Sequence, residues 1–212
     1  MDQLPEATSS EIRDWDAAYR DGTPPWEAGA PSAELIRVLD AGLVCPGTTL
    51  ELGCGSGADA VYLARRKFEV TAVDVSPMAI EQARTRAEMA AATVCFVLDD
   101  VFRFVRNCTP FDFVYDKGFY HFVRRGDLDR LLDLLWRVTK PGSLYLVLAG
   151  SDEETAAGGP PQVSEEQIRQ ELGRLFEFVH LRPCRLESPL RKQGYPAWSC
   201  LARRPIRGGR AT

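Results

Sequence analysis

The segment Glu51-Leu52-Gly53-Cys54-Gly55-Ser56-Gly57 places an acid and three alternating glycines directly after an apolar run and before a helical pattern. Glycine turns the backbone through positive φ and lets another molecule approach the main chain, so this loop suits a bound ligand. With Ala58 the same residues also satisfy the dinucleotide pattern G-x-G-x-x-A, and in either class an acid ending the next strand, here Asp74, would hold ribose hydroxyls. Two features lean away from a dinucleotide. Glu51 is unhelpful beside a pyrophosphate but suits a ligand carrying an ammonium and a sulfonium. Asp99-Asp100 ends the third strand-like run and offers a carboxylate to an adenine amino group, with Asp100 the better placed of the two.

These residues need a sheet to position them, and the chain supplies one. Short apolar runs rich in β-branched or aromatic residues occur at Thr48–Leu52, Glu69–Asp74, Thr93–Leu98, Phe111–Asp116 and Ser143–Ala149, as strands buried on both faces require. Helical patterns lie between them at Ala58–Arg66, Met78–Ala91 and Leu128–Val138. Ser164 and Gln167 form a capping-box signature for a further helix to about Leu175. Phe176–Glu187 and Ala197–Arg203 read as two last strands, and Ser188–Pro196 between them is too short for a parallel crossover, so they pair antiparallel. That terminal hairpin is a third feature not expected of a simple dinucleotide fold. Upstream, a helix capped by Ser10 would align Ile12, Trp15 and Tyr19 on one face, and a second would run from Ser32 to about Ala41. The expected architecture is α/β: a Rossmann-like, doubly wound, seven-stranded sheet, mostly parallel with a C-terminal antiparallel hairpin, plus an N-terminal helical lid. Residues 1–30 form the lid segment, 31–204 the main domain and 205–212 a flexible tail.

Composition bounds the partners. The 212 residues, 45% of them apolar, suit one globular domain, and a net charge of −4 gives no general attraction for nucleic acid. The basic cluster Arg203, Arg204, Arg207 and Arg210 reads as a solvated end. No signal peptide and no apolar run of membrane-spanning length is visible, so a cytoplasmic protein without a membrane partner is expected. Six cysteines without a Cys-x-x-Cys pair and two histidines indicate neither a metal site nor a disulfide framework. A monomer is expected.

Taken together, Glu51–Gly57, Asp74, Asp100 and Asp116 resemble the successive motifs of class I S-adenosylmethionine-dependent methyltransferases, over roughly Gly47 to Arg203. The resemblance implies S-adenosyl-L-methionine across the carboxyl ends of the strands. Gly53, Gly55 and Gly57 would lie under its methionine portion, Asp74 at the ribose, and Asp100 with Val101 at the adenine. Glu51, Val75 and Asp116 join the implied contacts. The N-terminal stretch Trp15-Asp16-x-x-Tyr19, followed by Gly22-Thr-Pro-Pro25-Trp26-Glu27-x-Gly29, is similar to the lid of the thiopurine S-methyltransferase-like group, which includes halide/thiol methyltransferases and tellurite-resistance relatives. There Trp15, Tyr19 and Trp26 would cover the cofactor, since a sulfonium is attracted to aromatic faces and methyl transfer needs water excluded. Trp15 and Tyr19 also fit the core face of an amphipathic helix. Trp26 has no periodicity to account for it.

The group typically has Asp-Arg-Gly after the fourth strand, where this chain has Asp116-Lys117-Gly118. Lysine keeps the charge and loses the planar fork. The acceptor pocket is expected under the lid, walled by Trp26, Phe119 and Tyr120. Lys117 and His121 are the catalytic candidates, aiding a thiolate or deprotonating an acceptor; His121 equally reads as a satisfied, partly buried imidazole. S-methylation of a small thiol or related soft nucleophile is the first reading and O-methylation of a phenol-like heterocycle the alternative. A nicotinamide-dependent oxidoreductase and a non-catalytic S-adenosylmethionine-binding protein are the readings from other classes.

Overall fold

The computed structural model describes residues 15–22, 24–153 and 159–206. The expected cap at Ser10, its partner Ile12 and the tail from Arg207 onward lie outside them. The elements run α1 (Trp15–Arg20), α2 (Ala33–Asp40), β1 (Thr48–Leu52), α3 (Ala58–Arg65), β2 (Glu69–Asp74), α4 (Pro77–Met89), β3 (Cys95–Leu98), α5 (Val101–Phe104) and β4 (Phe111–Lys117). There follow α6 (Phe119–Val123), α7 (Leu128–Val138), β5 (Thr139–Ser151), β6 (Gln162–Val163), α8 (Glu165–Leu172), β7 (Glu177–Ser188) and β8 (Arg191–Arg203).

One sheet orders the strands β3-β2-β1-β4-β5-β8-β7, with β6 paired to β5. β1 pairs in parallel with β2 on one side and β4 on the other, so the connections after β1 and β4 diverge and a crevice opens at their carboxyl ends. The last two strands run antiparallel, as the sequence predicts. Eight strands pair where the sequence suggests seven; the addition is the two-residue β6.

Strand alternation splits the core into two layers. Phe113, Tyr115, Leu146 and Leu148 face α2, α3 and α4, while Val114, Tyr145, Val147 and Ala149 face α5 to α8. α7 presents Leu131, Leu134, Leu135 and Val138 to that second layer, and Asp127 caps it by accepting the Arg130 N–H. The Ser164–Gln167 capping box is present in both directions at α8.

The hairpin differs from expectation in a way that matters to the site. β8 begins at Arg191, so only Pro189 and Leu190 connect it to β7, and the paired strands continue past Gly150, the last β5 residue they cover. Gly194 at φ +67° and Pro196 read as loop residues. Here glycine is needed because a Cβ would meet the Leu186 carbonyl at 2.5 Å beside a register shift in β7. The hairpin is fastened to α2 through buried Glu34, which accepts from Ser199 Oγ at 2.6 Å and from Arg182 at 2.5 Å. Its tip reaches the lid loop, where Ser188 Oγ donates to the Pro25 carbonyl at 2.6 Å. Among the described residues no helix is long and apolar enough to cross a membrane.

Leu135 is fully buried between α7 and the sheet. Leu135→Ala is expected to lower the free energy of unfolding by about 2–5 kcal/mol in urea titrations; a loss below half a kcal/mol would show that this layer collapses around the cavity.

Candidate active site

The glycine loop leaves β1 with Gly53, Gly55 and Gly57 all at positive φ, +65°, +52° and +76°. At Gly57 the reason is internal packing, since a Cβ would meet that of Ala83 in α4 at 2.7 Å. At Gly55 a Cβ would collide with Glu27 Oε1 and the Tyr19 hydroxyl. What crowds Gly55 is therefore the N-terminal segment of the chain itself.

Asp74 ends β2 nearly buried. Its Oδ2 accepts the Gly55 N–H at 2.8 Å and its Oδ1 the Ser76 N–H at 2.9 Å. Burial raises its pKa while these amides pull it down. Val75 beside it is 47% exposed. The neighbouring strand end is joined through the Asp99 N–H to the Asp74 carbonyl at 3.1 Å. Asp100 is exposed and caps α5 by accepting the Phe102 N–H at 2.8 Å, Val101 turns into the core, and Asp99 pairs with Arg103.

Glu51 is buried at the floor of the crevice, and its Oε2 has no partner among the described residues. Burial first, then the nearby Asp59, push its carboxyl well above the ordinary range, with Lys117 pulling the other way. Asp59 accepts from Ser32 N–H at 2.6 Å and Tyr115 O–H at 3.2 Å, and lies 3.3 Å from Lys117 Nζ. Burial works against the Lys117 charge, but Asp59, Glu187 and Glu27 hold its pKa above the ordinary lysine value. Lys117 is thus an ammonium embedded among carboxylates, not a free base.

Three further expectations are corrected. Asp116 does not line the crevice. It is fully buried, with Oδ1 accepting from Phe119 N–H at 2.8 Å and Oδ2 from Tyr120 N–H at 3.0 Å and Tyr145 O–H at 2.9 Å. Burial pushes its carboxyl up to about 7 against those donors, and it serves as the cap of α6. Tyr120 is no pocket wall either, because the helical turn sends it into the core, where its O–H donates to Glu171 Oε2 at 2.7 Å. His121 cannot deprotonate an acceptor. Its Nδ1 accepts the Gly150 N–H at 2.9 Å, which uses the ring's lone pair and leaves Nε2 carrying the proton. Burial lowers its pKa to about 4, so the ring is a neutral donor at physiological pH. Phe119 does face the loop, 3.7 Å from where a Gly53 Cβ would stand.

The N-terminal segment is docked at two points that sequence reasoning passed over. Asp16 Oδ1 accepts from Ser76 Oγ at 2.8 Å and Met78 N–H at 2.9 Å, which place it at the amino end of α4. The Met78 amide, Arg20 and Ser76 hold its pKa down at about 2. Glu27 Oε1 accepts the Ser56 N–H at 3.0 Å and Oε2 the Ser56 O–H at 2.5 Å. Arg86 binds Ser56 and the Gly29 carbonyl at 2.9 Å, closing the loop's far end. The aromatics pack on one another: Trp15 meets Trp26 edge-on at 5.2 Å and Phe122 of α6 at 4.8 Å, and Trp26 Nε1 donates to the Tyr19 oxygen at 3.1 Å. Asp16 and Glu27 stand inside the quoted lid motif, but nothing in their spacing says which loops they reach.

Residues 10–195 match the thiopurine S-methyltransferase family. The chain belongs to that family. It is an S-adenosylmethionine-dependent methyltransferase. The chain is 29% identical over 166 residues to a 2-heptyl-1-hydroxyquinolin-4(1H)-one methyltransferase of Mycobacteroides abscessus, covering 77% of this chain and 73% of that one. It is 30% identical over 161 residues to thiocyanate methyltransferase 1 of Brassica oleracea, covering 74% and 69%. Among solved structures it superposes with a TM-score of 0.78 and 27% identity on a protein solved for the conversion of a disulfide bond into a thioacetal group during echinomycin biosynthesis, covering 91% and 92% of the two chains. A 1,6-didemethyltoxoflavin-N1-methyltransferase from Burkholderia thailandensis, at TM-score 0.71 and 22% identity over 96% and 93%, shares the fold.

The methyltransferase keeps His121 neutral at a stability cost in acid. The unfolded imidazole titrates near its ordinary 6.5 and the folded one at about 4. The unfolded state therefore binds more protons between these values, and stability is lost as pH falls through that window. The loss should reach on the order of 3 kcal/mol by pH 4. His121→Asn keeps an acceptor for the Gly150 N–H and should flatten this part of the pH–stability curve; identical curves for both proteins would show that His121 contributes none of it.

Proposed function

We propose that this methyltransferase S-methylates a small thiol or related soft nucleophile that reaches the site already ionised. The observation that carries the reading is that neither nitrogen the sequence offers as a base is free to be one. The His121 lone pair is taken by Gly150, and Lys117 is held charged by Asp59. A thiol ionises near pH 8.5 and a phenol near 10, so a site without a ready base favours sulfur. The thiocyanate methyltransferase and a probable thiol methyltransferase 2 of Arabidopsis thaliana, 25% identical over 170 residues, support sulfur as the acceptor. The His121 Nε2–H would orient the thiolate by donating a hydrogen bond, while Lys117, already paired with Asp59, would compensate the buried carboxylates beside it.

The residues present suit the cofactor. Glu51 Oε2 is a buried acceptor that the ammonium end would partner, and Gly53 of the glycine loop is exposed beside it. When bound, S-adenosylmethionine supplies a methyl group on an activated sulfonium. The chain's contribution is then alignment and exclusion of water. Asp74 would take the ribose hydroxyls on lone pairs not used by Gly55 and Ser76, and Asp100 would take the adenine amino group. Trp15, Tyr19 and Trp26 would cover the methionine end, with Phe119 and Phe122 walling the acceptor.

Two measurements test this. Across a series of aryl thiols and matched phenols, the rate's dependence on pH should follow each acceptor's own ionisation, with thiols turned over faster; an inflection fixed near neutrality for every acceptor would point to an enzyme base and overturn the reading. Trp26→Ala should reduce turnover far more than stability and weaken S-adenosylmethionine more than S-adenosylhomocysteine, because only the sulfonium is drawn to an aromatic face. Equal weakening would mean that the lid contributes burial alone.

A further inference from the structure

Four side chains and one backbone amide form a relay from the glycine loop to the lid aromatics. The Ser56 N–H and O–H both donate to the Glu27 carboxylate, at 3.0 and 2.5 Å. The Tyr19 O–H donates to the same carboxylate at 2.7 Å, and the Trp26 indole N–H donates to the Tyr19 oxygen at 3.1 Å. Arg86 steadies Ser56 from the other side. Each hydroxyl and the indole N–H is used once as a donor, so the direction is fixed from Trp26 through Tyr19 to Glu27, which accepts from both sides.

Trp26 lies in a Pro-flanked loop without helix or strand ladder to locate its ring. Its hydrogen bond to Tyr19 and its edge contacts with Trp15 and Tyr19, at 5.2 and 6.3 Å, are what orient it. Tyr19 is in turn held over Gly55 by Glu27. Burial, then the Glu27 charge, raise its pKa, so the phenol stays a donor throughout the working range.

We propose that Glu27 is the positioning residue of the lid, transmitting the location of the Ser56 amide through Tyr19 to the Trp26 ring and so setting the aromatic face that discriminates the sulfonium of S-adenosylmethionine from the neutral thioether of the product. This rests on the reading of Trp26 as the ring that shields the sulfonium. Glu27 acts by place, not by charge, which separates it from an acid that merely attracts a cation. It also accounts for Gly55, where any side chain would displace both Glu27 and Tyr19.

The test is the ratio of dissociation constants for S-adenosylhomocysteine and S-adenosylmethionine, measured by calorimetry in the full chain for Trp26→Ala, Glu27→Ala, Glu27→Gln and the double variant Glu27→Ala/Trp26→Ala. A merely structural latch would weaken both ligands alike and leave the ratio unmoved. The expected result is that Trp26→Ala and Glu27→Ala each shrink the ratio by about three- to thirty-fold, the range of a cation–π contact. The double variant should shrink it no further. Glu27→Gln, whose amide oxygen still accepts from Ser56 N–H and Tyr19 O–H, should keep the ratio within about twofold of the parent. A ratio preserved in Glu27→Ala but lost in Trp26→Ala overturns the role of Glu27 and leaves Trp26 as the shield. Loss in Glu27→Gln as large as in Glu27→Ala shows a charge effect and also overturns it. If Trp26→Ala itself leaves the ratio unchanged, the shielding reading and the relay fall together.

Discussion

One carboxylate keeps the two turns at the carboxyl edge of the sheet in register. Asp74 binds the Gly55 amide with one oxygen and the Ser76 amide with the other, so the loop after β1 and the loop after β2 cannot shift independently. Each amide belongs to a turn that would otherwise leave donors unpaired in a nearly dry place, where an unsatisfied N–H is costly. The N-terminal segment is attached immediately beside these two points. Glu27 takes the amide and hydroxyl of Ser56, one residue past Gly55, while Asp16 takes the hydroxyl of Ser76. Three carboxylates on three segments thus converge on two adjacent turns.

The second organising feature is the imbalance of buried charge. Glu51 and Asp59 lie under the crevice with Lys117 beside them, and Glu187 of the hairpin contributes to the same field. Asp59 is satisfied by an amide, a phenol and the ammonium. Among the described residues Glu51 Oε2 has no partner, and burial, then the nearby Asp59, raise its pKa. A cationic ligand end next to Glu51 would relieve the penalty and would couple ligand affinity to the protonation of a group that hardly meets solvent. Lys117 is spoken for by this cluster.

The turn after β4 is built differently. α6 is only five residues long, yet Asp116 caps its amino end and Tyr120, Arg124 and Glu171 lock it to α8. The short helix is thereby rigid enough to hold His121 against the Gly150 amide and Phe122 against Trp15. Residues that look like chemistry in the sequence, Asp116 and Tyr120, supply this rigidity. His121, buried on the same short helix, is a neutral donor.

The chain by itself determined the fold class, the strand-like runs that border the crevice, the antiparallel end and the glycine loop, while the order of the strands came from the tertiary structure. These follow from local patterns: apolar runs of strand length, caps at helix starts, and glycines where φ must be positive. Trp26 stood out in the sequence because it had no local reason to be where it is, and it packs with Trp15 and Tyr19. Roles that depend on which lone pair or which N–H lies opposite were settled only by tertiary structure. His121 is a donor because Gly150, 29 residues away, occupies its Nδ1. Asp116 is a cap because the chain turns back over it within four residues and Tyr145 arrives from β5. Asp16 and Glu27 are docking residues because loops 60 and 29 residues downstream present Ser76 and Ser56 to them. Sequence spacing carries period and turn chemistry, whereas a hydrogen bond is decided within a few tenths of an ångström between groups that only the folded chain brings together.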